Sequence, residues 1–432
     1  MKTLLLLAGR SRRFWPLREK TLFPICGKTL LEHQVERLRA GGCREIILVG
    51  GAHNLHEAKR LFPNLRTIRQ ANLDLGMQGA LLSALPSCKK ESVMIMSAND
   101  VIEPQAYREL RAAAAKADGA ILAKRVERYF PGGYLTVKGN RVTSIVEKPG
   151  EGKEPSNLVN IVAHIHNDSS VLLAALRHVR SPRDDAYERA LAELVRTHRF
   201  TVVRYGGFWQ AVKFPWQILP LLNHLLQGLP KSQKRHSPSI HPTAVLEGNV
   251  VLSSGVKILP HASVIGPSFI GRDTVIGTGA LVRQSSIGNL CVIGYNTEVK
   301  ASILSHHVWT HSTYIGDSVI GENVAFGAGV VTGNFRLDEG EISSQWGGRT
   351  IPTGLQKFGA VIGEGSRIGI QVGTNPGVKI GKGSFVCGGA FVTEDVPDHS
   401  FVCSKYGAQC VRENRVQALQ ANKRVKFRRA AL

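Results

Sequence analysis

The chain has little of what marks a disulfide-stapled or metal-stapled protein. Its seven cysteines are scattered along 432 residues, with no C-x-x-C and no paired spacing. That argues against a disulfide framework and a zinc site, and for a reducing compartment. The apolar opening Met1–Leu7 is only one strand long and is followed by Arg10, Arg12 and Arg13. It reads as neither a signal peptide nor a membrane span, so a cytoplasmic protein without a membrane partner is expected. Acidic residues are few, 33 against 55 Lys and Arg, which leaves a formal charge of +22. Such a charge suits nucleic acid, anionic lipid or phosphate-rich substrates. No nucleic-acid fold signature accompanies it, so nucleotide and phosphate ligands are the better match.

What is present is a period of six. From Ile240, large aliphatics recur at Leu246, Leu252, Ile258, Val264, Ile270, Ile276 and Val282. After an irregular middle the beat returns at Ile362, Ile368, Thr374, Ile380, Val386 and Val392. Neither an α-helix nor a single strand has this period. A three-faced solenoid has it: each face supplies one inward aliphatic and then turns, and neighbouring coils stack to bury the column. The alternative is a β-sandwich with regular turns, whose strands do not keep a fixed six-residue phase over so many units. The exposed coil faces favour assembly with further copies, as a homotrimer.

The first half reads differently. Thr3–Leu7 is apolar throughout, as expected of a buried parallel strand. The loop Ala8-Gly9-Arg10-Ser11-Arg12-Arg13 follows, then Lys20 and an amphipathic helix around Leu30–Arg39. Further buried strands are expected at Glu45–Val49, ending in Gly50-Gly51, and at Val93–Ser97, ending at Asn99-Asp100. Strands alternating with helices indicate an α/β sheet covered on both faces, and ligands in such sheets bind beyond the carboxyl ends of the strands. The first loop suits phosphate: Gly9 permits close approach, and the arginines and Lys20 neutralise charge. Asp100 is placed to hold a divalent ion against a triphosphate. The other reading of Arg10, Arg12 and Arg13 is a solvated basic surface. The expected domains are 1–228 (α/β), 229–239 (linker), 240–410 (solenoid) and 411–432 (basic tail, capping the last coil or binding CoA phosphates).

The solenoid beat breaks at 300–317 and again from Asn334 to about Ala360. Interruptions of this kind build binding edges. A His with a free ring nitrogen can deprotonate an amine that attacks a thioester. Tyr314 and Asn334 can orient substrate or stabilise an oxyanion. His306, His307 and His311 leave a metal site open as a second reading.

Several motifs together carry a resemblance. Leu7 through Leu17, Lys20, Gly27-Lys28-Thr29-Leu30-Leu31-Glu32-His33, Gln78-Gly79-Ala80, Asn99-Asp100, Glu147-Lys148-Pro149, Asn160, Trp209 and Pro215-Trp216 resemble the signature of sugar-1-phosphate nucleotidyltransferases. The resemblance implies a mixed, mainly parallel sheet. It puts Arg13 and Lys20 at the catalytic cation positions, and Ala8, Gly9, Gln78 and Gly79 near the nucleotide. Glu147, Lys148 and Asn160 would face the sugar phosphate, and Asp100 would hold Mg²⁺. Two departures stand out. Ser11-Arg12 replaces the usual Gly-Thr, which puts a β-carbon where glycine's φ range is used. The second acidic ligand, two residues after Trp209, is replaced by Ala211.

In the second half, Glu298-Val299-Lys300, His311, Tyr314, the run Gly316–Val324, Gly327-Ala328-Gly329 and Asn334 are similar to the acetyltransferase half of bifunctional glucosamine-1-phosphate acetyltransferase/uridylyltransferases. The stretches 357–363 and 376–381 are most like archaeal-type members. The resemblance implies a left-handed parallel β-helix of hexapeptide repeats. His311 would be the general base, Lys300 and Tyr314 would bind sugar phosphate, and Asn334 and Ala328 would bind acetyl-CoA. An adjacent subunit's coils near Ile368–Gly389 would hold the CoA. Here the departures are Ala325 where Asn is common, a Lys300–His311 spacing one residue short, and Thr310 and Ser312 flanking the His. The expected enzyme acetylates an amino-sugar 1-phosphate and transfers a nucleotidyl group to it, from UTP for a UDP-sugar product. The alternatives are a monofunctional nucleotidyltransferase (guanylyl or thymidylyl transfer included) with a purely structural solenoid, and a non-catalytic descendant.

Overall fold

The computed structural model describes every residue except 8, 182–184, 231–237, 406–407 and 415–432. The basic tail therefore lies mostly outside the described residues. Two compact units are present: Met1–Arg10 with Leu30–Ala211, and Ser11–Thr29 with Val212–Leu432. This division differs from the expected boundary at 228. The helix Ile218–Gln227 and the segment Ser11–Thr29 both belong with the repeats.

In the first unit, strand Lys2–Leu6 is buried at every residue. It pairs in parallel with Glu45–Gly50 on one side and Val93–Ser97 on the other. Burial on both faces explains why it is apolar without alternation. Helix Leu30–Ala40 buries Leu31, Val35 and Leu38, a stripe at i, i+4 and i+7. Gly42, at φ +84°, closes its C-terminus with a left-handed turn.

The nine-stranded sheet runs in the order Arg66–Arg69, Glu45–Gly50, Lys2–Leu6, Val93–Ser97, Leu158–His166, Gly119–Arg125, Phe200–Arg204, Arg141–Glu147, Gly133–Lys138. It is mixed, as expected. Parallel pairing joins the first four strands, and Phe200–Arg204 to Gly119–Arg125. The strand Leu158–His166 is antiparallel to both its main neighbours, and its register shifts between Asn160 and His164. The antiparallel share is larger than helix–strand alternation suggested, because Gly119–Arg125, Gly133–Lys138, Arg141–Glu147 and Leu158–His166 follow one another without a crossover helix.

In the second unit, from Ser239 to Lys300, the chain comes back to the same sheet at every third strand, always in parallel. Ile240 lies beside Ile258 and Ile258 beside Ile276; Leu246 lies beside Val264, and Leu252 beside Ile270. An antiparallel sandwich is excluded for these coils. Ile258, Val264, Ile270, Ile276 and Val282 are buried in one continuous core, as are Ile362, Ile368, Ile380, Val386 and Val392 from the later stretch. Thr374 keeps the beat but pays a polar cost: its hydroxyl is buried with no hydrogen-bond partner.

The irregular middle has a simple geometric content. Val264 and Val282 face each other 18 residues apart, Val282 and Val299 17 apart, and Val299 and Ile315 16 apart. The shortest of these coils is the one that contains His311. Between Thr332 and Val361 the chain leaves the coils as an antiparallel hairpin, Ile342–Trp346 against Arg349–Leu355. The column closes beneath it, with Ile320 paired to Ile362. Lys379, 1% exposed, ties the hairpin down. Its ammonium donates to Ser344 Oγ (2.8 Å) and to the Gln345 carbonyl (2.7 Å), and pairs with Asp395 (2.6 Å).

The segment Ser11–Thr29 is fastened to the coils along its length. Trp15 Nε1–H donates to Asp398 at 2.8 Å, and the Trp15 ring lies 5.7 Å from the Lys379 ammonium. Arg18 pairs with Glu364 at 2.6 Å, and the Cys26 amide donates to Ser286 Oγ at 2.8 Å.

Two substitutions in the coils test this packing with opposite signs. Ile276→Ala removes a fully buried side chain and is expected to cost about 2–5 kcal/mol. Thr374→Val removes the unpartnered hydroxyl at constant volume and is expected to gain about 1 kcal/mol. Thermal unfolding of the full chain checks both; a lower melting temperature for Thr374→Val would contradict the reading of its hydroxyl.

Candidate functional site

The candidate residues are described within each unit. In the first unit the parallel strands Lys2–Leu6, Glu45–Gly50 and Val93–Ser97 bring their carboxyl ends to one edge of the sheet. Asn54, fully buried, secures two of those ends. Its amide donates to the Leu7 carbonyl (2.6 Å) and its oxygen accepts from the Gly51 amide (3.0 Å). Gly9 follows, with nothing within 4 Å of where a β-carbon would stand. Arg10 pairs with Asp74 at 2.7 Å. Ala8 lies outside the described residues.

Asp100 sits at the same edge and is 8% exposed. Two groups fix it. Gln34, fully buried on helix Leu30–Ala40, donates to the carbonyls of Ala98 (3.1 Å) and Asp100 (2.9 Å). Trp209 Nε1–H donates to the Asp100 carboxylate at 2.8 Å. Strands Asp100–Ile102 and Trp209–Ala211 pair antiparallel, with Ala211 directly opposite Asp100. The position where a second carboxylate was expected is therefore the cross-strand neighbour of Asp100, and it carries a methyl group. Among the described residues no group of three or more His, Cys, Asp or Glu is arranged to hold a metal. A single carboxylate still suits a Mg²⁺ ion whose other ligands come from substrate phosphates and water.

Gln78 is occupied by the fold. Both of its amide contacts go to carbonyls at the end of helix Ser169–His178, Leu176 (2.7 Å) and Val179 (3.1 Å). Gly79 is needed for close approach, since a β-carbon there would lie 2.5 Å from Gln70 Nε2 and 2.8 Å from the Asn72 carbonyl. Glu147 and Asn160 do come together. They flank Gly133, whose added β-carbon would stand 3.1 Å from Glu147 Oε2 and 3.5 Å from Asn160 Cβ. Lys148 lies alongside, its ammonium 3.1 Å from Glu147. Behind Asn160 is a residue that sequence reasoning missed. His164 Nε2 is 2.6 Å from Asn160 Oδ1, and its Nδ1 is 2.5 Å from the Tyr187 hydroxyl. Burial pushes the pKa of His164 and of His166 down to about 3, so both are neutral near pH 7. The signal was available: Asn160, His164 and His166 interrupt an otherwise apolar strand at even spacing.

In the second unit Ser11 adopts φ +49°, the left-handed region that glycine favours. The serine accepts that conformation, and its Oγ lies 3.4 Å from the Lys20 amide. Arg13 is exposed, with its guanidinium 5.8 Å from the Phe214 ring. Lys20 is buried, at 8% exposure.

The short coil gathers the other candidates. Lys300 and Tyr314 lie on adjacent strands of one sheet, Glu298–Lys300 and Tyr314–Gly316. The Asn334 amide donates to the Tyr314 hydroxyl (3.2 Å) and to Asp317 Oδ2 (2.5 Å). Lys300 donates to that same Asp317 oxygen at 3.2 Å. Asp317 is thus the hub of the group, and sequence reasoning gave it no role although it stands in the quoted Gly316-Asp317 motif. His311 is exposed in the same coil, its backbone amide 3.4 Å from Thr313 Oγ1. Ala328 is half-buried, and its carbonyl accepts from the Gln371 amide of the next coil at 2.8 Å. His306 and His307 do not form a metal cluster with His311 among the described residues. His306 Nδ1 instead accepts from the Asn289 amide at 2.9 Å.

Comparison with known proteins covers most of the chain. A family model described as a MobA-like NTP transferase domain matches residues 3–239. A bifunctional sugar-1-phosphate nucleotidylyltransferase/acetyltransferase of Sulfurisphaera tokodaii is 30% identical over 92% of this chain and 98% of its own length. Proteins named bifunctional protein GlmU from Methanococcus vannielii and Methanococcus maripaludis are each 28% identical over 94% of this chain and 98% of their own lengths. With more than half of the chain matched by the family model and a relative of this identity spanned almost end to end, the chain belongs to the bifunctional sugar-1-phosphate nucleotidylyltransferase/acetyltransferase family of transferases.

Proposed function

We propose that the chain carries two transfer sites. The repeat region N-acetylates an amino-sugar 1-phosphate from acetyl-CoA. The mixed-sheet half then transfers a nucleotidyl group from a nucleoside triphosphate, UTP foremost, to the sugar 1-phosphate and releases pyrophosphate. The observation that carries the reading is the connected group Lys300, Asp317, Asn334 and Tyr314, with His311 exposed in the same short coil.

In the acetyl half, His311 takes a proton from the sugar amine as its nitrogen attacks the thioester carbonyl. The C–N bond forms, the C–S bond breaks, and the CoA thiolate leaves and takes up a proton. Lys300 and Tyr314 hold the sugar phosphate. Asn334, its amide held by Tyr314 and Asp317, contacts acetyl-CoA near the thioester, Ala328 lines the acetyl-CoA side, and Asp317 fixes both Lys300 and Asn334. In the other half, a phosphate oxygen of the sugar 1-phosphate attacks the α-phosphorus. Arg13 and Lys20 neutralise the charge that gathers on pyrophosphate. Gly9 lets backbone approach the phosphates, and Gly79 borders the nucleobase. Glu147, Lys148 and Asn160 hold the sugar phosphate. Asp100 would hold Mg²⁺, which supplies charge neutralisation at the triphosphate when bound.

We read the repeat region as a left-handed parallel β-helix that assembles as a homotrimer. Three parallel sheets support the first part. The second rests on the outward row of a single sheet, where Val245, Val331 and Phe391 are exposed at 50%, 48% and 56% on the sheet that also carries Tyr314. Light scattering of the purified chain is expected to give three times the 47.0 kDa protomer mass; a monomer mass would sink the trimer.

Ala211 favours one competing reading, in which acetyl transfer persists and the nucleotidyl site is weak. A product-resolved assay separates the two. With glucosamine 1-phosphate or galactosamine 1-phosphate, acetyl-CoA, UTP and Mg²⁺, the wild type is expected to yield both acetylated sugar phosphate and nucleotide sugar. His311→Ala should lose only the acetylation, and Asp100→Ala only the nucleotidyl step, each by at least about 100-fold. Acetylated sugar phosphate without nucleotide sugar in the wild type would support the competing reading. Restoring the carboxylate with Ala211→Asp is expected to lower the Mg²⁺ concentration for half-maximal nucleotidyl transfer. An unchanged Mg²⁺ requirement would show that position 211 does not reach the metal.

A further inference from the structure

We propose that His164 is a positioning residue of the nucleotidyl half: backed by Tyr187 and His166, it holds the Asn160 amide with its oxygen inward and its nitrogen outward, so that the site offers the sugar a donor at this point. The inference rests on the reading of Asn160 as a sugar contact.

Four residues in two elements make the chain of bonds. Asn160, His164 and His166 lie on strand Leu158–His166, and Tyr187 on helix Ala186–Thr197. They are 7%, 0%, 3% and 1% exposed, so water does not compete for their bonds. Asn160 Oδ1 can only accept, so His164 Nε2, 2.6 Å away, carries the ring proton. In a neutral ring Nδ1 is then an acceptor, and the Tyr187 hydroxyl, 2.5 Å away, donates to it. That spends the only proton of Tyr187. Its oxygen accepts in turn from His166 Nε2 at 3.4 Å. The His164 and Tyr187 rings stack at 5.6 Å with 12° between their planes, which holds the imidazole in this orientation.

Direction is therefore a property of the whole chain of bonds. Reversing any one proton reverses all of them and turns the Asn160 amide over. In the direction seen here, Asn160 Nδ2 has no partner among the described residues. The Asn160 Cβ and the Glu147 carboxylate lie 3.5 Å and 3.1 Å from where a β-carbon at Gly133 would stand. The site thus brings an unspent N–H donor and a carboxylate acceptor to one glycine. A sugar hydroxyl, which both accepts and donates, matches the pair.

Tyr187→Phe keeps the stacked ring and deletes the one hydroxyl on which the direction depends. The expected result is a KM for the sugar 1-phosphate raised about tenfold, the loss of one hydrogen bond, with the KM for the nucleoside triphosphate and kcat unchanged. Nitrogen-15 NMR of the histidine rings in the wild-type chain is expected to show His164 as the neutral Nε2–H tautomer. Asn160→Asp, which keeps an inward acceptor but removes the outward donor, should raise the same KM and leave that tautomer in place. An Nδ1–H tautomer of His164 in the wild type would overturn the proposal. So would a Tyr187→Phe chain that loses kcat and both KM values together with stability, since that marks a structural role only. If Asn160→Asp leaves the sugar KM unchanged while His164 is the Nε2–H tautomer, the bond direction stands and the sugar-contact reading of Asn160 fails.

Discussion

The structure of the second half depends on one constraint: a single coil cannot bury its own inward aliphatics. Each face of a coil is two or three residues long and has too little apolar area to stand alone. Ile258 is covered only because Ile240 and Ile276 lie in register on either side of it. The same requirement fixes what the chain may do between coils. It may shorten a coil, as between Val299 and Ile315, or eject a hairpin, as between Thr332 and Val361, provided that the column closes again. Both departures occur, and the polar group around Asp317 gathers beside them. The candidate side chains therefore stand on a frame held by apolar stacking.

The first half obeys a different logic. Its three central strands are parallel and buried on both faces, so their ends, and not their faces, are open to a ligand. Asp100 is held there by two neutral groups: a buried glutamine from the first helix and an indole from the strand opposite. Asn160 is held by an imidazole. In each case a residue that would touch substrate is oriented by a buried neutral donor, which imposes direction without adding charge.

How much of this was legible in the sequence depends on the range of the interaction. The six-residue beat was legible because it repeats a local rule, and every aliphatic assigned to the column is packed in or against it. Strands Lys2–Leu6 and Val93–Ser97 were legible as uninterrupted apolar runs. The place of Ala211 was legible as a missing acid, and the antiparallel pairing gives that absence its physical meaning. Asp317 and His164 were not read, because each acts through partners that are distant in sequence or across a register shift. The nucleobase role expected for Gln78 is unsupported by its contacts, since no local pattern reveals that a helix end will consume its amide. The compact units differ from the expected boundary at 228 for the same reason. A polar linker is a local signal, and the bond from Trp15 to Asp398 spans 383 positions.

That bond bears on modularity. The chain reads as two genes fused end to end, and a cut in the linker is the obvious way to separate them. Such a cut would leave Trp15 without Asp398 and Lys379, Arg18 without Glu364, and the Cys26 amide without Ser286. The stretch that carries Arg13 and Lys20 would lose its footing, and the coils would expose the surface it covers. Gene fission at the linker is therefore closed to this chain unless the segment Ser11–Thr29 is first re-sculpted, which makes the fusion a structural commitment.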